Sequence, residues 1–245
     1  MIFWSYLKMP KQIRFYVSPY FISKLYLLKD IQSIVKKYQF KGSILDIGCG
    51  QKPYKYLFKT ADKYLGIDFK NYSINKDFKG EGPDLYFADN YLKTLSLDLA
   101  DESFDNSVSF QVFEHHKDPA KMISEMVRIT KRGGYIMISA PFLAGIHEEP
   151  NDYQRFTKYG LIELFRRNNC RVVEIREQGS LFSTISMLLN EHLNNFAAKD
   201  KLSYFISALI YLPFILFSYV SLLLDQIFKS KKIFFNYLIL IKKNE

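Results

Sequence analysis

The sequence predicts an α/β domain built on a doubly wound, mostly parallel sheet. Three observations predict it. Apolar runs bounded by turn residues alternate with helical periodicity between residues 41 and 178, the pattern of strands joined by crossover helices. The run Ile44-Leu45-Asp46-Ile47 ends in Gly48-Cys49-Gly50, where the missing Cβ atoms let backbone approach a ligand. A second run, Tyr64-Leu65-Gly66-Ile67, ends in Asp68. That acid lies about 20 residues beyond the turn, the separation at which a strand-end carboxylate meets ribose hydroxyls in such sheets.

Residues 1–40 form an N-terminal region. Phe3, Trp4, Tyr6, Lys8, Lys11 and Arg14 make 1–19 aromatic and basic. The apolar run is too short for a secretory signal and no positive charge leads it. Such side chains suit a membrane interface; the alternative is a segment folded back on its own domain. Phe21, Leu25, Leu28, Ile31, Val35 and Tyr38 recur at helical spacing, so 20–39 is an amphipathic helix. The core, 41–178, carries strands at 44–47, 64–68, 85–88, 107–110, 135–139 and 171–177. Helices are expected at 53–59, 118–130 and 157–168. Asp118-Pro119 is a helix start, an N-cap with proline at the first turn, and Gly133-Gly134 is a stop.

The segment 179–232 is an apolar helical insert. No charged residue occurs from 202 to 224, longer than the ~20 residues that mark a transmembrane candidate. Pro213 interrupts it and Ser203, Ser207, Ser218 and Ser221 dilute it. Residues 233–245 then supply a final strand at 235–241. If 171–177 and 235–241 share one sheet, both lie on the same side of any membrane, and a single spanning helix between them is excluded. The insert must be a helical hairpin, a re-entrant loop bent at Pro213 or an amphipathic lid. We read it as monotopic and membrane-touching through 202–224; the alternative is a buried cap. Lys229, Lys231 and Lys232 suit anionic lipid.

The chain of 245 residues has a net charge of +9. Basic charge invites nucleic acid or anionic lipid, but no nucleic-acid-binding motif is present, and nucleic acid is not expected as a partner. Two cysteines, Cys49 and Cys170, offer no disulfide framework and fit a reducing, cytoplasmic setting. Cys49 reads as a small turn residue rather than a nucleophile. None of these features specifies an oligomeric state.

The ligand at the glycine turn is a nucleotide of one of two kinds. A dinucleotide site would carry a third glycine where Pro53 stands. Asp46 before the turn repels phosphate and suits a cationic ligand. Asp46-Ile47-Gly48-Cys49-Gly50 resembles the first motif of class I S-adenosylmethionine-dependent methyltransferases, and the resemblance implies a Rossmann-like seven-stranded sheet whose last strand, here 235–241, inserts antiparallel beside its predecessor. Asp68 matches that family's ribose-binding acid, and Asp89 its acid near adenine, with Asn90 the next choice. The run 103–115, ending Gln111-Val112-Phe113-Glu114-His115, is similar to the family's fourth strand and the Glu-His after it. The run 128–139 resembles its helix, Gly-Gly turn and fifth strand. The combination looks most like the type 11 subgroup. Pro141-Phe142, followed by His147-Glu148-Glu149-Pro150-Asn151-Asp152-Tyr153-Gln154-Arg155-Phe156, resembles members associated with bacterial surface-glycan synthesis.

The resemblance implies S-adenosylmethionine as cofactor, held by Asp46, Gly48, Cys49, Gly50, Asp68, Asp89, Asn90 and Gln111. It also implies that the helix at 20–39 covers that site. A hydroxyl acceptor must lose a proton, so a base near neutral pKa is useful. His115 and His147 are the candidates. Glu114, His116, Asp152, Tyr153 and Arg155 are candidates for the acceptor, since Arg forks onto anions. Glu114, His115, His116 and His147 are also of the residue types that bind a divalent metal, but their spacing matches no familiar metal motif, so no metal is expected. The expected activity is methyl transfer to a small or lipid-linked acceptor, such as a glycan intermediate at the inner face of the cytoplasmic membrane. The rivals are a methyltransferase of a soluble metabolite or quinone-like lipid, and a non-catalytic S-adenosylmethionine-binding or scaffold protein.

Overall fold

The computed structural model describes residues 16, 18, 20–70, 80–88, 96–194, 201–230 and 232–245. Helix α1 spans Phe21–Tyr38. Then follow β1 (Ser43–Ile47), β2 (Lys63–Asp68), β3 (Leu85–Tyr86) and β4 (Asn106–Phe110). Helix α2 (Pro119–Ile129), β5 (Tyr135–Pro141), α3 (Lys158–Arg166) and β6 (Cys170–Gln178) continue the alternation. Helices α4 (Leu181–Asn194) and α5 (Lys201–Ile227) precede β7 (Asn236–Lys243). The strands form one seven-stranded sheet, ordered β3-β2-β1-β4-β5-β7-β6. The pairs β2–β3, β1–β2, β1–β4 and β4–β5 are parallel.

Strand β7 runs against its neighbours. Its end meets the start of β5, where Gly133 N donates to Lys243 O and Lys243 N to Gly134 O. Its start meets the end of β6, where Phe235 N donates to Gln178 O. The expected doubly wound sheet with an antiparallel last strand is therefore the observed one.

Burial explains the strands. All five residues of β4 are buried and β1 is buried from Ile44 onward, as in a sheet with helices on both faces. Ile44, Leu45, Ile47 and Val108 are at most 1% exposed, each worth roughly 1.5–3 kcal/mol of burial. Asp118 caps α2 by accepting Lys121 N at 3.0 Å, with Pro119 at the first position. Met122, Ile123, Met126 and Ile129 make its buried face. Thr157 caps α3 by accepting Gly160 N.

Two local expectations are corrected. The stretch 53–59 holds only a 3₁₀ turn, Lys55–Leu57. Its aromatic rings are claimed by tertiary packing: Tyr54 sits edge-on to Phe110, and Phe58 contacts Phe40 and Tyr64. A run this short also lies below the length at which a helix sustains itself. The strand expected at 85–88 is the pair Leu85–Tyr86.

The chain divides into two compact units. One holds 29–142, 146–176 and 237–245 and contains the glycine turn, Asp68 and the histidine-bearing loops. The other holds 1–28, 143–145 and 177–236. Its core gathers Phe21, Ile22, Met187 and Phe235, with Leu25, Tyr26 and Leu222 packed on it. Within it α4 and α5 lie antiparallel: Asp225 accepts Phe182 N and Ser183 N, and Ser218 meets Ser186 and Asn190. Of the three forms considered for the insert, the helical pair is the observed one. Helix α5 continues through Pro213 over 27 residues, so no re-entrant loop turns there. Its stretch Ile210–Ile227 is long and apolar enough to cross a membrane by length and composition, with 22% of it buried.

Candidate active site

Register places the first cluster. Asp46 of β1 pairs with Gly66 of β2, and Ile47 with Ile67. Where β1 ends, Gly48 N and Cys49 N donate to Ile67 O, so the turn wraps the end of β2. Gly48 and Gly50 hold φ of 70° and 53°, a region costly to residues with a Cβ. A Cβ on Gly48 would meet Val112 Cγ2 at 2.5 Å. Asp68 closes the turn. Its Oδ2 accepts Gly50 N and its Oδ1 accepts Phe69 N, each at 2.7 Å. Burial raises the Asp68 pKa, with a contribution from the Glu148 charge, while the two amides pull it back.

Asp46 lies beneath the turn, 2% exposed, accepting the Tyr64 hydroxyl at 2.7 Å. Burial carries its pKa up to about 7; the Tyr64 hydrogen bond opposes this and the Asp68 charge adds to it. Cys49 is buried, and burial with the Asp46 and Asp68 charges raises its thiol pKa. It is a space-filling turn residue, not a nucleophile. Gly66 is a glycine for the same reason: a Cβ there would strike Cys49 Sγ. Lys52, 5% exposed, pairs with Asp84 at 2.8 Å, and Asp84 also accepts Gly66 N.

The second cluster stands at the ends of β4 and β5. Gln111 follows β4 with φ of 57°. Its backbone N and its Nε2 both donate to Ser139 Oγ of β5, at 3.0 and 2.9 Å. A 3₁₀ turn, Phe113–His115, then sets Glu114 inside the fold and His115 towards the loop after β5. Glu114 is 0% exposed, and neither carboxylate oxygen has a hydrogen-bond partner among the described residues. The Nε2 atoms of His115 and His147 each lie 3.9 Å from Glu114 Oε1. The two rings meet edge to face with centroids 4.9 Å apart.

Around this pair the loop is tied down. Asn151 O lies 2.8 Å from His115 Nδ1. Asp152 Oδ2 accepts His147 N at 3.0 Å and lies 3.5 Å from His147 Nδ1. Arg155 forks onto Asp152 at 2.6 and 2.7 Å and lowers the Asp152 pKa to about 2. Tyr153 N donates to Glu114 O, and its hydroxyl donates to Asn151 Oδ1. His116 stands apart from the other two rings: it is 8% exposed, its Nδ1 accepts Asp118 N at 3.3 Å, and burial lowers its pKa.

The structure thus brings Asp46, Gly48, Cys49, Gly50 and Asp68 together at one strand edge. It gathers Glu114, His115, His147, Asp152, Tyr153 and Arg155 at the next. Asp89 and Asn90 lie outside the described residues. Sequence reasoning missed three residues here. Tyr64 reads as a strand aromatic, yet its hydroxyl holds Asp46. Lys52 reads as a surface lysine, yet it is buried on Asp84. Phe69, directly after Asp68, keeps 41% exposure with its ring 4.7 Å from Phe87. Its position beside a strand-end acid is the one signal that singles it out.

Residues 45–138 match the family described as a methyltransferase domain. A protein of Mycolicibacterium smegmatis assigned as an S-adenosylmethionine-dependent methyltransferase is 30% identical over 99 residues, 40% of this chain and 37% of its own length. An uncharacterized protein of Methanocaldococcus jannaschii is 30% identical over 128 residues, 51% of this chain and 58% of its own length. The aligned region therefore spans about a third to three fifths of these curated relatives.

Among solved structures, a Bacillus halodurans protein assigned as a methyltransferase superposes with a TM-score of 0.53 at 14% identity, covering 89% of this chain and 100% of that one. The [4+2]-cyclase SpnF gives 0.54 at 14%, covering 89% and 81%. The 1,6-didemethyltoxoflavin-N1-methyltransferase of Burkholderia thailandensis, solved with S-adenosylhomocysteine, gives 0.52 at 11%, covering 89% and 78%. At these identities the superpositions establish the Rossmann-like fold. In sequence, residues 45–138 are similar to a methyltransferase domain.

Proposed function

We propose that this chain moves the methyl group of S-adenosylmethionine to a small or lipid-linked acceptor, a glycan intermediate at the inner face of the cytoplasmic membrane. The observation that carries the reading is Asp68. It is a buried carboxylate at a strand end, hydrogen-bonded to the Gly50 amide of a glycine turn, inside the stretch that matches a methyltransferase domain. An ionised carboxylate has about four acceptor sites. Two are taken by backbone amides, leaving two for the ribose hydroxyls.

Gly48, Cys49 and Gly50 lay backbone along the cofactor. Asp46 faces its ammonium, directly or through water. Phe69 offers an apolar surface for adenine, alongside Asp89 or Asn90, and Gln111 closes the acceptor side. The sulfonium is already activated, so the protein supplies proximity and alignment. With no ion on their Nε2 atoms, His115 and His147 are the bases for a hydroxyl acceptor. Arg155 is committed to Asp152 through both fork nitrogens, so we give this pair the task of positioning His147 rather than gripping a sugar or phosphate.

The helical pair supports the membrane part of the reading. Its interior is polar: Ser183, Thr184, Ser186, Asn190, Ser218, Ser221 and Asp225 are at most 5% exposed. Its exterior is apolar: Leu212, Leu216, Leu223, Ile227 and Phe228 are 60–71% exposed. A water-soluble helix pair has the opposite polarity, whereas helices in lipid join through small and hydroxyl-bearing residues. We therefore assign 179–232 as a monotopic insert on a core of 41–178 and 233–245, with 1–40 as its N-terminal region.

Calorimetry with S-adenosylmethionine tests the cofactor half: binding is expected in the native chain and lost in Asp68→Ala. A native chain that gives no heat ends the reading. Sedimentation with anionic vesicles tests the membrane half. A chain left entirely in the supernatant points to a soluble acceptor instead. Mass spectrometry of cell-envelope glycans and lipids, with and without the protein, then identifies the acceptor by one lost methyl group.

A further inference from the structure

We infer that Glu114, His115 and His147 form a binding site for a first-row divalent transition cation, with Zn²⁺ as the ion their donor set suits. Sequence spacing alone predicts no metal, because these residues form no local motif. The site exists only once the loop after β5 folds back onto the turn after β4.

Three observations carry the inference. First, Glu114 is 0% exposed and both its oxygens lack hydrogen-bond partners among the described residues. A buried carboxylate without donors is costly, and proteins resolve such a charge by pairing it or by coordination. Second, the nearest groups cannot supply those donors as they stand. Asn151 O is an acceptor only, so its 2.8 Å contact assigns the proton of His115 to Nδ1. In the neutral tautomer that this contact selects, an Nε2 lone pair faces the Glu114 oxygen 3.9 Å away. Two acceptors face each other across a gap too long for a hydrogen bond, and a cation between them satisfies both. Third, His147 repeats the arrangement. Its Nε2 lies 3.9 Å from the same Glu114 Oε1, and its Nδ1 faces the Asp152 carboxylate at 3.5 Å. A ligating histidine whose other nitrogen is fixed by a carbonyl or carboxylate is the usual outer arrangement of a metal site. Arg155 in turn fixes Asp152.

The dimensions fit after a contraction. The three donor atoms all lie within 4.8 Å of one another. Tetrahedral ligands at the usual bond lengths are about 3.4 Å apart, so the two Glu114–histidine gaps of 3.9 Å close by roughly half an ångström, and a pair at the 4.8 Å bound by about 1.4 Å. Two imidazoles and one carboxylate favour Zn²⁺, Co²⁺ or Fe²⁺ over Mg²⁺, which prefers oxygen ligands. Three protein ligands leave a position for an oxygen of water or of an acceptor. That acceptor role rests on the proposed methyl transfer; the metal site itself does not.

The test uses the purified full chain, stripped of metal and titrated with Co²⁺. Visible absorption reports the site, equilibrium dialysis gives the stoichiometry, and Zn²⁺ and Mg²⁺ serve as competitors. The expected result is one Co²⁺ per chain, displaced by Zn²⁺ and not by Mg²⁺. Glu114→Gln and His147→Asn should each weaken Co²⁺ binding by about 100-fold or more, since even changes in the outer shell cost 10–100-fold. His147 has 40% of its side chain exposed, so its variant decides between the outcomes if Glu114→Gln fails to fold by circular dichroism. A native chain that takes up no Co²⁺, or binding unchanged in His147→Asn, overturns the inference. Calorimetry with S-adenosylmethionine on the same samples keeps the two proposals apart. Cofactor binding without cobalt defeats only the metal site, and cobalt without cofactor binding defeats only methyl transfer.

Discussion

The β1–β2 edge and the β4–β5 edge carry buried acids of opposite standing. At the first, both buried carboxylates are already held: Asp68 by two amides and Asp46 by the Tyr64 hydroxyl. At the second, the Glu114 carboxylate is enclosed with two histidine nitrogens 3.9 Å away and no hydrogen bond to its oxygens among the described residues. A carboxylate held by amides is preorganised, and a ligand meeting it displaces little. A carboxylate enclosed without donors gains most from a ligand that brings positive charge. The first edge is thus shaped before binding, and the second is completed by it.

The largest test of that contrast is Asp68→Ala. The change removes both proposed ribose contacts and the anchor of the Gly50 amide. Two charge-assisted hydrogen bonds at about 1.5 kcal/mol each correspond to roughly 100-fold in affinity. Calorimetry should show S-adenosylmethionine binding weakened by at least that factor. An unchanged affinity would mean the edge is ordered for folding alone.

Next in size is Gly48→Ala. The φ of 70° and the Val112 methyl at 2.5 Å both oppose a Cβ, and together cost about 2–3 kcal/mol of stability. Urea unfolding measures it. Adding Val112→Ala should return the steric part and leave the backbone part, so a double variant no better than the single one would remove Val112 from the account.

Legibility followed the same division. The β1–β2 edge could be read because its determinants are contiguous: an apolar run, a glycine turn and an acid at the end of the next run. Parallel register then forces Asp68 beside Gly50. The sheet order was legible for the same reason, since alternating strands and helices admit few windings. What could not be read depends on side chains meeting across the fold. Nothing local tells Tyr64 to hold Asp46, or Lys52 to fold inward onto Asp84. Tyr54 and Phe58 look helical by spacing, but their rings are claimed by Phe110, Phe40 and Tyr64. Glu114 and His147 are 33 positions apart, and only the return of the loop after β5 makes them neighbours.

Asp46 sharpens the contrast through pH. Burial places its pKa at about 7, so below neutrality the empty site holds a neutral acid. A cationic cofactor favours the ionised form, so binding expels a proton. Affinity should then fall by roughly tenfold per pH unit below 7. The stability of the unliganded chain runs the other way. A raised folded-state pKa contributes stability that is complete below about pH 4 and lost as pH rises through 7. Asp46→Asn should flatten both curves, by calorimetry and by melting temperature across pH 5–8. A native curve already flat would move the cofactor's charge elsewhere.

The smallest effect belongs to Asp152, and its sign is the reverse of Asp46. The Arg155 fork holds its pKa at about 2, so the stability it lends is complete above the ordinary carboxylate value near 4 and lost as pH falls towards 2. Asp152→Asn should therefore cost about 1 kcal/mol at neutral pH and almost nothing once the pH is below 2, read from urea midpoints at about pH 7 and about pH 1.5. The same variant also releases His147, whose amide and Nδ1 both face Asp152 Oδ2. If the second edge is built around an ion, Co²⁺ affinity should fall in this variant by about tenfold, while S-adenosylmethionine affinity holds. If Asp152 merely anchors the loop, melting temperature moves and cobalt affinity does not.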